Sequence, residues 1–229
     1  MAAPLHRDNL DGCVFDAYGT LFDIRTSADR CGDALGERKE PLLALWRVKQ
    51  LEYSWLRSLR GDFIDFWHVT GESLDYAMAA TGTTDPLLRS RLMAAYLTLE
   101  AYADAKDTLS RLRAAGLKTA ILSNGSTSMV TAAVNNSGLH RLFDWLISVD
   151  EVHAYKPHPS VYRLATERLQ CAASRICFLS ANAWDASGAA HFGFRVVWLK
   201  RDNTPFDLLP GKPEGEIPAL AALPDVLGV

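Results

Sequence analysis

Residues 105–125, AKDTLSRLRAAGLKTAILSNG, place a helical pattern, a glycine, an apolar run and small polar residues in direct succession. The pattern predicts a helix over 105–115, because Gly116 can adopt the left-handed conformation that ends many helices. The apolar run 119–122 is continuous rather than alternating, which is typical of a strand covered on both faces, as in a parallel sheet. This stretch therefore predicts one helix–strand unit of an α/β domain.

Similar units lie on both sides of this stretch. Further apolar runs, each bounded by polar or small residues, lie at 13–15, 145–149, 176–179 and 196–199. Helical patterns at 126–136 and 160–169 separate the later runs from one another. This alternation predicts a doubly wound parallel sheet with a Rossmann-like core.

The interval between the first and second runs is much longer than a simple crossover. Residues 25–102 carry mainly helical patterns, and Pro41 suits a first helical turn. Since a crossover needs only about a dozen residues, the sequence predicts a helical cap inserted after the first strand. The predicted domains are a core at 1–24 and 103–229, and a cap at 25–102. The tail beyond Asp202 is rich in proline and glycine and predicts a surface wrap.

Composition and charge exclude several classes of function. The 229 residues are 48% hydrophobic and 22% charged, which is typical of a globular protein with a sizeable core. The formal net charge is -3 and no basic stripe is visible, so nucleic acid is not an expected partner. No apolar stretch is long enough to span a bilayer, and the start does not resemble a signal peptide. We therefore expect no membrane partner and a cytoplasmic location.

The cysteines and histidines give no support for a metal or a cofactor. Cys13, Cys31, Cys171 and Cys177 form no CxxC pair, which argues against zinc and favours reduced structural thiols. The histidines are scattered without metal-ligand spacing, and no GxGxxG or Walker A loop is present. The sequence thus predicts neither a metal site nor a nucleotide cofactor.

Polar side chains follow the predicted strands, at the edge where an open parallel sheet binds its ligands. They are Asp16 and Thr20 after the first strand, Ser123 and Asn124 after the second, Lys156 beyond the third, and Ser180, Asn182 and Asp185 behind the fourth. Because the carboxyl ends of parallel strands meet at one edge, we expect these groups to converge. Such a set combines a nucleophile with acid and base groups.

These residues lie in separate short motifs that have a recognisable order. The motifs are DAYGTLFD at 16–23, LWRVKQLEY at 45–53, LSNG at 122–125, KP at 156–157 and SANAWD at 180–185. In this order and placement the chain resembles the L-2-haloacid dehalogenase family of the haloacid dehalogenase-like superfamily. The resemblance covers nearly the whole chain, cap included.

Tyr18 separates this family from the phosphatases of the superfamily, which carry an aspartate two residues after the nucleophile. A tyrosine is a poor ligand for magnesium, and its usual pKa near ~10 makes it a weak proton donor at neutral pH. The motif at 180–185 likewise offers a single Asp185 instead of an adjacent acidic pair. Lys156 can take the electrostatic role of a metal by keeping Asp16 ionised. We therefore expect a metal-free site.

The resemblance implies a mechanism in which Asp16 attacks C2 of a short L-2-haloalkanoic acid and displaces halide. Water activated by Asp185, and oriented by Asn182, then hydrolyses the ester, which gives a D-2-hydroxyalkanoic acid with inversion. The residues with implied catalytic roles are Asp16, Thr20, Arg47, Ser123, Lys156, Tyr162, Ser180, Asn182 and Asp185.

The resemblance also implies a set of substrate contacts. Arg47 and Asn124 would surround the departing halide, whereas Ser123 and the backbone N–H groups near 17–18 would hold the carboxylate. An apolar wall would surround the alkyl group. The full set is Ala17, Tyr18, Arg47, Leu51, Phe66, Ser123, Asn124 and Trp184.

Two other functions compete with this interpretation. One is a phosphatase or another hydrolase of the same superfamily, which Tyr18 disfavours. The other is a catalytically silent binding protein, which the intact set of Asp16, Lys156 and Asp185 disfavours. The preferred halogen and alkyl length stay open, and the resemblance suggests a homodimer.

Overall fold

The computed structural model describes residues 5–24 and 35–229. The strands are β1 (Gly12–Phe15), β2 (Phe22–Asp23), β3 (Glu100–Ala101), β4 (Lys118–Ser123), β5 (Trp145–Ser148), β6 (Ile176–Ser180), β7 (Arg195–Leu199) and β8 (Gly215–Ile217). Six of them form one parallel sheet in the order β5-β4-β1-β6-β7-β8. The chain first extends the sheet from β1 towards β5 and then returns to the other side of β1. The crevice at this reversal is where such sheets bind ligands.

Eight α-helices lie in the described residues, and the ones after β3 connect the strands of the sheet or follow its last strand. They are α1 (Lys39–Arg60), α2 (Phe66–Ala80), α3 (Pro86–Tyr96), α4 (Ala105–Ala114), α5 (Thr127–Asn136), α6 (Pro159–Leu169), α7 (Ala183–Phe192) and α8 (Leu223–Val226). Several begin at side chains that accept a hydrogen bond from the first turn, among them Asp65, Asp85 and Ser126. Every residue of β1, β6 and β7 is buried, which explains their continuous apolar sequence.

Helices α1 to α3 form an insertion between β2 and β3, and we call these three helices the helical insertion. The two short strands pair antiparallel at its base, with Phe22 opposite Ala101 and Asp23 opposite Glu100. Helix α1 packs along α2 and ends at Gly61, whose φ of 72° provides the left-handed residue. The fold class expected from the sequence is therefore confirmed.

Neutral polar side chains are buried inside the helical insertion. The Gln50 amide donates to the Thr70 hydroxyl at 3.0 Å and accepts from the Tyr96 hydroxyl at 3.1 Å. The Trp46 indole N–H donates to the Thr70 carbonyl oxygen at 2.9 Å. Gln50 and Thr70 are fully buried, so these bonds satisfy groups that water cannot reach. The network joins α1 to both α2 and α3.

The five apolar runs all correspond to strands, with ends within one residue of the prediction. The interpretation of the tail was incomplete, because 215–217 add a sixth strand beside β7 and α8 follows it. Three residues are too few to show a periodic pattern, and the surrounding prolines and glycines conceal the strand. The first part of the predicted cap, 25–34, lies outside the described residues.

The three cysteines among the described residues are buried free thiols, as the sequence predicts. Cys13, Cys171 and Cys177 are free and buried, whereas Cys31 lies outside the described residues. Cys13 faces Cys177 across β1 and β6, and this neighbour together with burial raises the pKa of the Cys13 thiol. Among the helices in 5–24 and 35–229, none is long and apolar enough to cross a membrane.

Candidate active site

Asp16 lies directly after β1, where the chain turns sharply. Gly19 has φ 83°, and the N–H groups of Leu21 and Phe22 both bond to the Ala17 carbonyl oxygen. This turn brings the Thr20 hydroxyl within 2.9 Å of Asp16 Oδ2, to which it donates. Thr20 Oγ1 also accepts from the Ala181 N–H at 2.9 Å. The nucleophile candidate is thus tied to the segment that follows β6.

Lys156 lies between two carboxylates. Its ammonium Nζ is 3.1 Å from Asp16 Oδ1 and 2.9 Å from Asp185 Oδ2. The Lys156 side chain has no exposed surface, so water screens neither ion pair. Its backbone N–H donates to Asn124 Oδ1 at 2.9 Å, which joins the motif at 122–125 to the motif at 156–157.

Asp185 is the carboxylate with the most perturbed acidity. Burial raises its pKa to about 6, although the Lys156 ammonium opposes this rise and the Asp16 carboxylate adds to it. The Tyr162 hydroxyl donates to Asp185 Oδ1 at 2.8 Å. A carboxylate that titrates near neutrality, in a buried site, suits a general base.

Lys156 remains the positive charge of this group. Burial disfavours its ammonium, but Asp16 and Asp185 together outweigh that effect and raise the pKa of Lys156. Two acidic side chains and one ammonium therefore share a largely buried site, in which Asp16 keeps some exposed surface.

The Asn182 amide connects Asp16 with the helical insertion. Its Nδ2 donates to Asp16 Oδ2 at 2.8 Å and to the Tyr18 carbonyl oxygen at 3.2 Å. Its Oδ1 accepts from Arg47 Nη2 at 3.2 Å, so a half-buried arginine of α1 reaches the motif at 180–185. The Ser180 hydroxyl lies 3.4 Å from Asp16 Oδ2 and accepts from the Asn182 N–H at 3.1 Å.

Tyr18 fits against the loop after β4. A Cβ atom added to Gly125 would lie only 2.6 Å from Tyr18 Cε2, so the ring needs a glycine at that position. The ring of Tyr96 lies 6.1 Å from it on the other side. Within the described residues, the buried Tyr18 hydroxyl has no hydrogen-bond partner, and burial raises its pKa. Ser123, the last residue of β4, is fully buried and accepts from the Gly125 N–H at 2.9 Å.

The three residues expected to form an apolar wall lie in different surroundings. The Trp184 ring meets the Trp55 ring edge to face, with centroids 5.5 Å apart. Phe66 is buried, with its ring centroid 5.9 Å from that of Tyr155. Leu51 is partly buried one helical turn beyond Arg47. Their contact with a substrate stays a prediction.

Comparison with known proteins agrees with this geometry. Residues 10–193 match the model of a hydrolase family described as haloacid dehalogenase-like hydrolase. The chain belongs to this family. Two of its relatives are (S)-2-haloacid dehalogenase 1 of Pseudomonas sp. (strain CBS-3) and (S)-2-haloacid dehalogenase 4A of Burkholderia cepacia. The first is 44% identical over 96% of this chain and 97% of its own length, and the second is 45% identical over 86% of each.

A solved structure supports the same relationship. The L-2-haloacid dehalogenase of Xanthobacter autotrophicus, with chloropropionic acid covalently bound, superposes with a TM-score of 0.89. It is 38% identical and covers 96% of this chain and 98% of its own. The family resemblance inferred from the motifs is therefore confirmed.

The described residues also bear on whether a metal ion could bind. In the described ranges, no group of three or more His, Cys, Asp or Glu side chains is arranged to hold a metal ion. The side chains that converge here are those of Asp16, Lys156 and Asp185. Independence from metals stays a prediction, because it concerns the reaction.

Two residues that contact the site were not predicted from the sequence. Trp55 donates its indole N–H to the Lys156 carbonyl oxygen at 3.2 Å, and Tyr155 directly precedes that lysine. A signal was present for Trp55, because it follows Arg47 by eight residues, about two turns of the same helix. Its apolar character instead suggested the core of the helical insertion.

Proposed function

We propose that the protein hydrolyses short L-2-haloalkanoic acids to D-2-hydroxyalkanoic acids, with inversion at C2, through an ester on Asp16. The observation that carries this proposal is the set of contacts around Asp16. Lys156 and Asn182 hold its carboxylate, while Tyr18 stands where a phosphatase has its second acid. The (S)-2-haloacid dehalogenases among the relatives act on the same class of substrate according to their names.

The first step is the displacement of halide. An Asp16 carboxylate oxygen attacks C2 from the side opposite the halogen, and the halide leaves with the electrons of the broken carbon–halogen bond. Lys156 favours the ionised form that this attack needs. Arg47 and Asn124 would stabilise the departing halide, since a guanidinium is weakly hydrated and suits a desolvated anion. Forming the ester splits one difficult hydrolysis into two easier steps.

The second step is hydrolysis of the ester. Asp185 accepts a proton from water, and the resulting hydroxide attacks the carbonyl carbon of the Asp16 side chain. The bond from that carbon to the ester oxygen breaks, and this oxygen takes up the second proton of the water, so the hydroxy acid leaves and the Asp16 carboxylate is restored. Asp185 then gives its own proton to the solvent. The hydrogen bond from Tyr162 and the ion pair with Lys156 hold Asp185 in place for this role. A positioned base of this kind contributes about 10²–10⁴-fold to rate.

Substrate recognition is assigned to the groups around this centre. Ser123 and the N–H groups of Ala17 and Tyr18 would bind the carboxylate of the substrate. Leu51, Phe66 and Trp184 would enclose its alkyl group, and Thr20 and Ser180 would orient Asp16.

The decisive measurement is halide release from the two enantiomers of 2-chloropropionate, with and without EDTA. We expect release from the L enantiomer alone, no effect of EDTA, and no hydrolysis of p-nitrophenyl phosphate with added magnesium. Asp16→Asn should abolish release, whereas Asp107→Asn, at an exposed position on α4, serves as the matched control. Magnesium-dependent phosphate release without halide release would replace this proposal by a phosphatase.

Labelled water tests the covalent step. In a single turnover in H₂¹⁸O, with enzyme in excess, we expect the label in the Asp16 carboxylate and not in the product. The product hydroxyl would then carry an oxygen that came from Asp16. Label in the first product would mean that water attacks C2 directly, and the ester mechanism would be wrong.

We also propose that 25–102 act as a cap domain on a core formed by 1–24 and 103–229. The cap supplies Arg47 to a site built otherwise on the core. A homodimer and a cytoplasmic location are part of the same proposal. Light scattering of the purified protein would measure the oligomeric state.

A further inference from the structure

The segment that carries Lys156 is hydrogen-bonded to the helical insertion. Trp55 Nε1 donates to the Lys156 carbonyl oxygen at 3.2 Å. The Tyr155 N–H donates to Ser58 Oγ at 2.8 Å, and the Tyr155 hydroxyl donates to the Ile64 carbonyl oxygen at 2.5 Å. We call these three hydrogen bonds the clasp. It fixes two consecutive residues of the core to α1 and to the loop behind it.

Aromatic side chains pack around the clasp, whose hydrogen bonds are partly buried. Tyr155 has only 1% of its surface exposed, and its ring centroid lies 5.1 Å from that of Phe63 and 5.9 Å from that of Phe66. The ring of Trp55 meets that of Trp184, directly before Asp185. Hydrogen bonds in such surroundings are stronger than in water, and an unpaired partner there is costly.

The backbone of Lys156 is therefore held from two sides. The core holds its N–H through Asn124 Oδ1, and the helical insertion holds its carbonyl oxygen through Trp55. The side chain that starts from this backbone must place one ammonium within hydrogen-bonding distance of both Asp16 and Asp185. A displacement of the backbone would lengthen at least one of the two ion pairs.

Helix α1 links this segment to the other cation of the site. Arg47 of α1 bonds to Asn182, and Trp55 of the same helix bonds to Lys156. The two residues are separated by eight positions, about 12 Å along the axis of a rigid helix. Helix α1 thus contacts both the motif at 156–157 and the motif at 180–185.

We propose that Trp55, Ser58 and Tyr155 are positioning residues for catalysis, through which α1 sets the place of the Lys156 ammonium relative to Asp16 and Asp185. The inference rests on the proposed function, because the reaction supplies its readout. None of the three need touch the substrate for this role. They act through the backbone of Lys156, and the helix that carries Trp55 and Ser58 also carries Arg47.

A purely structural role for the clasp predicts a different result. Weaker packing would lower the stability or the active fraction of the enzyme, and kcat would fall equally at every pH. Displacement of the ammonium has another consequence, because Lys156 lowers the pKa of Asp185 and so opposes the effect of burial. Since Asp16 and Tyr162 also face Asp185, they stay unchanged in every variant used below.

The test compares Trp55→Phe, which keeps an aromatic ring but loses the N–H, with Tyr76→Phe as a control. Tyr76 is a half-exposed tyrosine of α2. For Trp55→Phe we expect kcat for L-2-chloropropionate to fall about tenfold with a much smaller change in KM, as for a misplaced catalytic group. We expect the acid limb of its kcat–pH profile to move to higher pH. Tyr76→Phe should match the wild type in both respects.

Ser58 provides a second test, in which one substitution removes the hydroxyl and another keeps it. Ser58→Ala removes the acceptor of the Tyr155 N–H, whereas Ser58→Thr keeps a hydroxyl at the same place. We expect Ser58→Ala to lower kcat and shift the acid limb, and Ser58→Thr to restore both. If the folded Trp55→Phe and Ser58→Ala proteins keep the wild-type pH profile, the inference is wrong. Failure of the wild type to release halide would instead refute the proposed function.

Discussion

The helical insertion and the edge of the sheet both bury polar groups, but they bury different kinds. In the helical insertion, Gln50, Thr70 and Tyr96 are neutral and paired with one another. At the edge of the sheet, Asp16, Lys156 and Asp185 are ionisable and share one ammonium between two carboxylates. The first network joins three helices, whereas the second lies where three separate motifs meet.

The difference shows what each network is for. A buried neutral hydrogen bond contributes about 1 kcal/mol to folding, and an orphaned partner costs about 1–3 kcal/mol. Buried ions are costly to desolvate, and apolar residues of similar volume often stabilise a protein equally well. The charges at the edge of the sheet therefore fit the proposed catalytic role. The amide and hydroxyls of the helical insertion instead hold its three helices together.

The largest expected effect comes from Asp185→Asn, which removes one charge from the edge of the sheet. The Asp16–Lys156 pair remains, so the first displacement should still occur. Without a base, however, the ester should persist, and steady-state turnover should fall about 10³-fold. We expect one halide per active site in a burst, and an intact protein mass raised by the 1-carboxyalkyl group of the substrate.

Asp107→Asn provides the control for this experiment, because it removes the same charge from an exposed helix position. Normal turnover by the Asp185→Asn protein would exclude Asp185 as the base. Absence of the burst would mean that Asp185 is needed already for the displacement of halide.

A second prediction concerns pH. The pKa of Asp185 is raised to about 6, so the carboxylate becomes protonated, and unable to act as a base, as the pH falls through that value. We therefore expect kcat to decline about tenfold per pH unit below that pKa and to level off above it. A kcat that stays constant down to about pH 4, the usual pKa of a carboxyl group, would contradict this prediction.

The smallest effect on chemistry is expected from the neutral network. Gln50→Leu leaves the buried Tyr96 hydroxyl without its acceptor and should lower the free energy of unfolding by about 1–3 kcal/mol. Urea denaturation measures this change, and kcat of the folded protein should change far less. The double variant Gln50→Leu/Tyr96→Phe removes both partners and should recover part of the loss. If the double variant is less stable than Gln50→Leu, the hydrogen bond is not the cause.

The sequence predicted the sheet edge better than the helical insertion for a physical reason. Strands buried on both faces have continuous apolar sequences, and the polar group that follows each strand is therefore easy to locate. Asp16, Lys156 and Asp185 were found in this way. Their hydrogen bonds follow from the meeting of parallel strand ends at one edge.

The contacts of the helical insertion depend on tertiary structure that no local pattern contains. Trp55 and Lys156 are separated by 101 positions, and Gln50 and Tyr96 by 46. A tryptophan or a glutamine on an amphipathic helix has many possible partners, and only the packing of the helices selects one. The sequence does not predict the short strand 215–217 for a different reason, because three residues are too few to form a periodic pattern.

The fit of Tyr18 against Gly125 restricts the order in which this site can change its chemistry. Any side chain at position 125 meets the tyrosine ring, so that position can acquire one only after Tyr18 has been replaced by a smaller residue. An aspartate at position 18, as in the phosphatases, would vacate the space beside the glycine. A route between carbon–halogen and phosphate chemistry on this scaffold that adds a side chain at position 125 must therefore change position 18 first.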